Sequence, residues 1–562
     1  MKVLRETISI CPECKQQIKA TVYEEEKQIY MKKSCPDHGE FEDILAHKKD
    51  YYLWRRQYHQ DSREYSRAPE VCCDGGPQSQ FGGKLGIKGC PYDCGICENH
   101  KSATCICLID VTNRCNLKCP ICFANANVTG YVVEPTMDEL YEIMKYFRDT
   151  KPIPPGSCQL SGGEPTVRED LPDILKMAKK MGFTHRMVTT NGLKFLDIDF
   201  LKEVIDAGMN ACYMQWDSVT DPGVYKKTRG VDLLQKKMQI IQNMRELKFK
   251  DCVLVPTIAR GINDHQVAPI LDFAVKNEDV VDCVVYQPVS LCGRITKEEL
   301  MRLRYNASDL QEAISASGFI GKLYPVPTLS NFVKLVSWFE GVEAFELAAH
   351  EDCGFATFAQ VSVDLNNPNN NKIHAIEEYI DPHKYLGMAN RVWDFIKENK
   401  LENPRQLFAK LLSFTSVGTQ LGEWLDGMAH RVFKKGMEFG YFAAAIPFLN
   451  PIGILKDLRG VMYLLRKLSK IVFNPNEENA ANFLRDRGMF IACMHFQDAY
   501  NMDVERVSRC LVHYGYYDRE LKKVFRVPFC TMNTIHRERI ERKNAQYQDQ
   551  KEIPIELITP EF

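Results

Sequence analysis

The chain has 562 residues, 45% of them hydrophobic and 26% charged, which supplies a large core and excludes a disordered chain. Its 72 Lys and Arg nearly balance 74 Asp and Glu, and the net charge of −2 gives no electrostatic reason to expect nucleic acid. No stretch reaches the roughly 20 apolar residues that span a bilayer.

In chain order, the first segment carries the outlier of the composition, cysteine, of which there are 22. It opens MKVLRETISICPEC, where Lys2, Arg5 and Glu6 leave no room for the apolar core of a signal peptide. The cysteines cluster at CxxC and CxxxCxxC spacings, which suit metals better than disulfides and point to a reducing, cytoplasmic, anaerobic setting. Residues 1–60 are predicted as a metal ribbon. Cys11-Pro-Glu-Cys14 and Cys35-Pro-Asp-His38 form two knuckles, joined by alternating stretches from Ala20 and from Ile29. Cys11, Cys14, Cys35 and His38 fit a closed four-coordinate site, rubredoxin-like in spacing, for mononuclear zinc or iron.

Residues 61–105 begin polar and Gly-rich, then give Cys90-Pro-Tyr-Asp-Cys94-Gly-Ile-Cys97. This segment is assigned an auxiliary iron–sulfur cluster, with zinc the alternative. Cys72, Cys73 and His100 are the near candidates for a fourth ligand.

From Ile106 strand and helix alternate to about residue 295. Strands are predicted at Cys107–Val111, Cys158–Leu160, Arg186–Thr190, Ala211–Gln215, Cys252–Thr257 and Cys283–Gln287. Helices are predicted at Met137–Phe147, Leu171–Met181, Leu201–Ala207, Leu233–Leu247 and Val267–Val275. About six βα units imply a parallel sheet in a partial barrel, with function at the C-terminal ends of the strands. Residues 296–474 read as mainly helical and rich in aromatic residues, with an uncharged run, Phe439 to Leu455, broken by Pro447, Asn450 and Pro451. Residues 475–562 carry Cys493, Cys510 and Cys530. With Cys353, these are the candidate ligands of a second auxiliary cluster, against the alternative of buried structural cysteines. Cys158, Cys212, Cys252 and Cys283 on core strands are given to packing.

The strongest chemical signal is Cys115-Asn-Leu-Lys-Cys119-Pro-Ile-Cys122, in a loop just after the first barrel strand. Three thiolates in one loop hold three corners of a cubane and leave one iron free to chelate a substrate. Ser161-Gly162-Gly163-Glu164-Pro165 follows at the end of the next strand. Its glycines let backbone approach a ligand, and Glu164 is an acceptor for an ammonium group. In this pairing the chain resembles the radical S-adenosylmethionine (SAM) superfamily over residues 106–290. The resemblance implies a partial (β/α)6 barrel of the radical SAM type, one radical-generating [4Fe-4S] cluster and bound SAM. One electron from the cluster would cleave SAM and give a 5′-deoxyadenosyl radical. Asn191, Asp217 and Asn263, at later strand ends, would contact the methionine, ribose or adenine. Each could equally be a turn residue.

The order of parts is more specific than any one part. A CPxC…CPDHG ribbon, then CPYDCGxC, then DVTNRCNLKCPICFANA and SGGEPTVR resembles the archaeal tetraether lipid synthase family and its bacterial relatives. That family was earlier described as pterin-directed radical methyltransferases. What this implies is tail-to-tail joining of two lipid alkyl chains through terminal methyl carbons, one substrate radical being held at an auxiliary cluster. It further implies one or two auxiliary clusters, a ferredoxin- or flavodoxin-type electron donor, and a lipid substrate that brings the cytoplasmic protein to the membrane periphery. Two other function classes remain: a radical C-methyltransferase acting on a pterin-like molecule, and a non-catalytic iron–sulfur electron carrier. An apolar channel lined by residues 295–470 favours the lipid, and a compact polar pocket the pterin.

Overall fold

The computed structural model describes residues 1–57, 90–92, 100–126, 130–151, 153–290, 297–318, 349–362, 367–375, 382–402 and 488–546, with Leu335, Trp338, Asp364 and Gln406 besides. Cys72, Cys73, Cys94, Cys97 and the run Phe439–Leu455 lie outside the described residues.

The ribbon is a four-stranded antiparallel sheet of β1 (Lys2–Ile10), β2 (Gln17–Glu25), β3 (Gln28–Cys35) and β4 (Gly39–Ala46), in that order. Its strands alternate. Ala20, Val22, Ile29 and Met31 turn inward and pack with Tyr52 of α1 (Lys49–Arg56). The knuckle turns need left-handed backbone, supplied by Lys15 at φ 61° and Gly39 at φ 77°.

The barrel follows the alternation read from the sequence. Its six parallel strands are β5 (Ile106–Thr112), β6 (Ser157–Gly162), β7 (His185–Thr190), β8 (Ala211–Gln215), β9 (Cys252–Val255) and β11 (Val281–Pro288), each paired with the next. A short β10 (Thr257–Ile258) pairs with the end of β11. Helices α2 (Met137–Arg148), α3 (Leu171–Lys180), α4 (Ile198–Ala207), α5 (Pro222–Arg229), α6 (Leu234–Glu246) and α7 (Val267–Lys276) form the connections. Thr136 and Glu139 close a capping box at the start of α2. On one face of the sheet Ile109, Leu160, Val188, Met214, Leu254 and Val284 join the core shared with these helices. Side chains one position along each strand face the other way.

The region read as mainly helical is mixed. α8 (Lys297–Leu303), α9 (Ala307–Ala316) and α10 (Pro382–Glu398) fit the expectation. Gly354–Ser362 and Lys372–Ala375 are instead strands, β12 and β13, paired antiparallel. Along GFATFAQVS burial alternates, with Phe355, Thr357, Ala359 and Val361 buried, but the apolar residues do not alternate in the text, so the strand was not legible.

The last cysteine segment completes the same sheet. β14 (Gly488–Met494) lies parallel to β11 and antiparallel to β12. β15 (Val512–Asp518) lies parallel to β5 and antiparallel to β16 (Lys523–Pro528). The order is β13-β12-β14-β11-β9-β8-β7-β6-β5-β15-β16. Residues 495–511, with α11 (Val504–Ser508), therefore pass from one edge of the six-stranded barrel sheet to the other. Both edges are paired, which removes two exposed templates for association. α12 (Arg537–Asn544) then packs near the start of the cysteine loop, where Arg537 meets Asp110 at 2.7 Å.

Buried charges lock the ribbon to this segment. Arg5 bonds Asp503 at 2.6 Å, and the Lys33 ammonium donates to the Ala499 carbonyl at 2.7 Å. Arg304, before α9, bridges Asp43 of β4 and Asp498. Removing one member of such a buried set leaves uncompensated charge, a loss of about 3–5 kcal/mol. No helix among the described residues is long and apolar enough to cross a membrane.

The candidate active site

β5 delivers the chain to the cysteine loop at the C-terminal end of the barrel strands. Thr112 and Arg114 both bond Glu134, at 2.7 and 2.5 Å, which fixes the turn into Cys115. Cys115 is buried and Cys119 and Cys122 are half-buried. All three pack against one apolar cluster with Leu117, Leu193 and Tyr225. Burial and the nearby Glu164 carboxylate push the Cys115 thiol well above its ordinary range.

The SGGE segment is built against this loop, and here two expectations change. The glycines make room for protein backbone. Gly163 N–H donates to the Thr112 carbonyl at 2.7 Å, and Glu164 N–H to that of Arg114 at 2.8 Å. A Cβ on Gly162 would stand 2.0 Å from the Thr112 oxygen, and one on Gly163 2.1 Å from that of Arg114. The Glu164 carboxylate, expected to meet an ammonium, is engaged within the chain. It accepts from the Thr166 and Thr190 hydroxyls, both at 2.6 Å, from Thr166 N at 3.2 Å and from Asn191 N at 2.7 Å. Burial pushes its carboxyl up against these donors. Ser161 precedes the pair, opposite Asp110 of β5.

Asn191 reaches the cysteine loop directly, its amide donating to Asn116 at 2.7 Å. Asp217 is wholly buried and clamped by Arg229, at 2.7 and 3.0 Å, with the Thr228 hydroxyl at 2.7 Å. Burial opposes its charge, yet Arg229 and Thr228 hold the carboxyl below the usual range. The same guanidinium hydrogen-bonds the Cys119 side chain. Asn263 is buried in the turn after β10, bonded to the Asp217 and Thr257 carbonyls and to Ala259 N. Its side chain serves the turn, the alternative left open in the sequence.

The sequence reading missed Arg229 and Lys237. No helix was predicted at α5, although Asp221 and Pro222 at its start and Gly230 after its end are its signals. What was not legible is that its last residue spans Asp217 and Cys119. The Lys237 ammonium donates to the Asn191 and Gln215 carbonyls, at 2.6 and 2.5 Å, and ties the ends of β7 and β8 together.

The other sulfur sites separate. The sulfur and nitrogen atoms of Cys11, Cys14, Cys35 and His38 all lie within 4.8 Å of one another, close enough to share one ion. This knuckle packs with Ile121 of the radical loop in one apolar cluster. Cys353, Cys510 and Cys530 interact with one another electrostatically. Cys493 lies in the helix-side core, level with Phe355 and Tyr286. Cys90 packs in the same cluster as Cys510 and Cys530. His100 bonds the Cys510 carbonyl at 2.9 Å and packs edge-on against His513. Cys158, Cys212 and Cys252 lie in the helix-side core and Cys283 on the opposite face, as packing residues do.

Comparison with known proteins agrees with this geometry. Residues 109–274 match the Radical SAM superfamily, and residues 3–47 match the HMPTM N-terminal zinc ribbon domain. The 7,8-dihydro-6-hydroxymethylpterin dimethyltransferase of Methanocaldococcus jannaschii is 35% identical over 552 residues, 96% of this chain and 95% of that one. The chain belongs to the radical SAM superfamily, in the family of that relative. A GTP 3',8-cyclase of Desulforamulus reducens is 24% identical over 46% of this chain and 83% of its own length. Among solved structures, Streptococcus suis SuiB bound to S-adenosylmethionine is 18% identical over 39% of this chain and 44% of that one, with a TM-score of 0.31.

A radical SAM enzyme implies a [4Fe-4S] cluster and SAM, and the residues present fit them. Cys115, Cys119 and Cys122 come from one loop into one cluster, and iron that bound them as thiolates would offset the burial that pushes the Cys115 and Cys119 thiols up.

Proposed function

We propose that this radical SAM enzyme joins lipid alkyl chains tail to tail through their terminal methyl carbons. The observation that carries this reading is the sheet face turned away from the helices. There Val253, Val255, Val285, Cys283 and Ala492 are buried beside Ala356, Phe490, Met494 and Tyr213. The aliphatic side chains of this face give an alkyl terminus a dry wall that excludes water from a substrate radical.

When bound, the cluster and SAM supply a 5′-deoxyadenosyl radical able to take hydrogen from an unactivated carbon. Cys115, Cys119 and Cys122 hold the cluster. Gly162 and Gly163 let the end of β6, with Ser161, close against Thr112 and Arg114, so that it would border SAM. Glu164 fixes Thr190 and Asn191, Asp217 aims Arg229 at the cysteine loop, and Asn263 sets the turn behind it. Each coupling removes one hydrogen from each methyl group, consumes two SAM and two electrons from a ferredoxin- or flavodoxin-type donor, and releases two 5′-deoxyadenosines. The lipid headgroup stays at the membrane periphery. The printed activity of the M. jannaschii relative favours a second reading, methyl transfer to a pterin.

Anaerobic turnover with extracted lipids and, separately, with a dihydropterin decides between them by mass spectrometry. Coupled lipid two hydrogens lighter than its parts, with two 5′-deoxyadenosines per bond, supports the first reading; a methylated pterin and unchanged lipid overturns it. Cys119→Ala should abolish 5′-deoxyadenosine. Val255→Thr, which places a hydroxyl on the dry wall at nearly constant volume, should lower coupled product at least tenfold and leave SAM cleavage intact.

A further inference from the structure

We propose that Arg229 is a positioning residue of the radical cluster: its guanidinium, shared between Cys119, Asp217 and Thr257, supports the reduced state and ties the cysteine loop to the strand ends that carry the apolar sheet face. The inference rests on the radical SAM reading and is independent of the substrate's identity.

The sequence brings Arg229 to this place through α5. Pro222 starts the helix, and the Asp221 side chain caps it by accepting from Gly223 N at 2.7 Å. Tyr225 and Arg229 are four residues apart and so share one helix face. Tyr225 is wholly buried and packs in the apolar cluster with all three loop cysteines. Its hydroxyl donates to the Ser218 carbonyl at 3.1 Å. After Arg229 the helix ends on Gly230, at φ 82°, where a Cβ would stand 3.6 Å from the Lys118 carbonyl oxygen and 3.8 Å from Pro120. The end of α5 is thus seated on the two chain neighbours of Cys119.

The Arg229 fork reaches three segments. Its Nε and Nη2 donate to the two Asp217 oxygens at 2.7 and 3.0 Å. Nη2 also donates to the Thr257 hydroxyl at 3.2 Å, while Thr257 N–H donates to the same carboxylate at 3.2 Å. The guanidinium also hydrogen-bonds the Cys119 side chain. Thr257 opens β10, two residues beyond Val255 of the apolar face. The cysteine loop, the end of β8 and β10 therefore meet on one side chain. A planar fork of fixed donors suits that task, and a single ammonium does not.

The charge has a consequence for the cluster. With the Arg229 side chain only 11% exposed, water screens it poorly. Asp217 offsets it in part, but of the two charges Arg229 acts more strongly on Cys119. A guanidinium keeps its proton, so the charge is present in both redox states. Reduction makes a cluster more negative, and donors to its cysteine sulfurs stabilise that state. Arg229 therefore holds the potential of the radical cluster up.

The test uses the reconstituted full chain without SAM, in a redox titration followed by electron paramagnetic resonance, with iron and sulfide analysis. The radical cluster's signal is the one that Cys119→Ala lacks and that SAM perturbs when added afterwards. Asp217→Asn with Arg229→Met removes both charges together and leaves no unpaired buried carboxylate. This double variant should keep iron and sulfide, yet the reduced-to-oxidised ratio at fixed potential should fall at least tenfold, about 59 mV for one electron. Arg229→Lys keeps the charge and loses the fork. Its ratio should lie between the two, and it decides alone if the double variant does not take up iron. Thr257→Val removes the hydroxyl at nearly constant volume and should lower the ratio by a smaller factor. An unchanged ratio in the double variant or in Arg229→Lys overturns the proposal, and an unchanged ratio in Thr257→Val overturns the tie to β10. A shift that appears only after SAM is added also overturns it, because it would put the guanidinium on SAM instead of Cys119. Absence of a SAM-responsive signal from the unmodified protein would instead defeat the radical SAM reading itself.

Discussion

Phe123, one residue beyond the last radical-loop cysteine, stacks on Phe529, one residue before Cys530, with ring centroids 5.8 Å apart. Phe529 continues the stack to Phe496 at 4.1 Å. Two sulfur sites more than 400 positions apart in sequence are thus joined through aromatic rings.

Phe123→Ala removes that contact at a half-exposed position, so its effect on stability should be small, about 1 kcal/mol in a denaturant titration. Its effect on coupling should be larger. More 5′-deoxyadenosine should form per product molecule, because the loop no longer keeps its orientation toward the segment of Phe529. An unchanged ratio would show that the stack is only packing.

Asp217→Asn leaves Arg229 buried without its carboxylate partner. The expected loss is about 3–5 kcal/mol in unfolding free energy, with SAM cleavage falling because the guanidinium beside Cys119 is no longer held. Replacing both, as Asp217→Asn with Arg229→Met, should recover much of the stability and none of the cleavage. Equal losses in stability and activity in the double variant would contradict this account.

Gly163→Ala inserts a methyl group where the Arg114 carbonyl already stands. Backbone cannot yield as a flexible side chain can, so the SGGE segment and the cysteine loop should separate. Absorbance and iron analysis should show poor retention of the radical cluster, and 5′-deoxyadenosine formation should fall at least a hundredfold. Full iron content with full cleavage would mean that the loop tolerates the displacement.

Lys237 provides a pH signature. Burial pulls its ammonium down to about 8, against about 10.4 in an unfolded chain. Between those values the unfolded chain binds a proton that the folded chain does not, so stability should rise with pH across that window. The rise amounts to about 3 kcal/mol at about 1.36 kcal/mol per unit. Lys237→Met cannot show it. The difference in unfolding free energy between the unmodified protein and the variant should therefore grow from pH 8 to pH 10; a flat difference would place the ammonium in a wetter site than the structure gives it.

The barrel strands and the radical loop were legible because both are local. Alternation of strand and helix marks each βα unit, and three cysteines fall within eight positions. What sequence could not reveal depends on partners. Cys493 reads as a ligand beside His495, yet its strand register turns it to the helix-side core. Gly162 and Gly163 read as room for a ligand, and the room is taken by Thr112 and Arg114. Asp217 reads as a contact for SAM until Arg229, twelve residues on, is seen folded back onto it. Strand parity and the closure of a side chain on a distant segment are decided by tertiary packing.

The interlock of ribbon and last segment sets an order of assembly. During synthesis Arg5 and Lys33 emerge long before Asp503 and Ala499, to which they bond across 498 and 466 positions. Until then the β5 and β11 edges lack β15 and β14, and Phe123 beside the cysteine loop lacks Phe529. Docking of residues 488–546 pairs both edges, brings Cys510 and Cys530 to Cys353, and draws the ribbon knuckle onto Ile121. A nascent protein halted before β14 would display two bare strands, a natural substrate for holding chaperones.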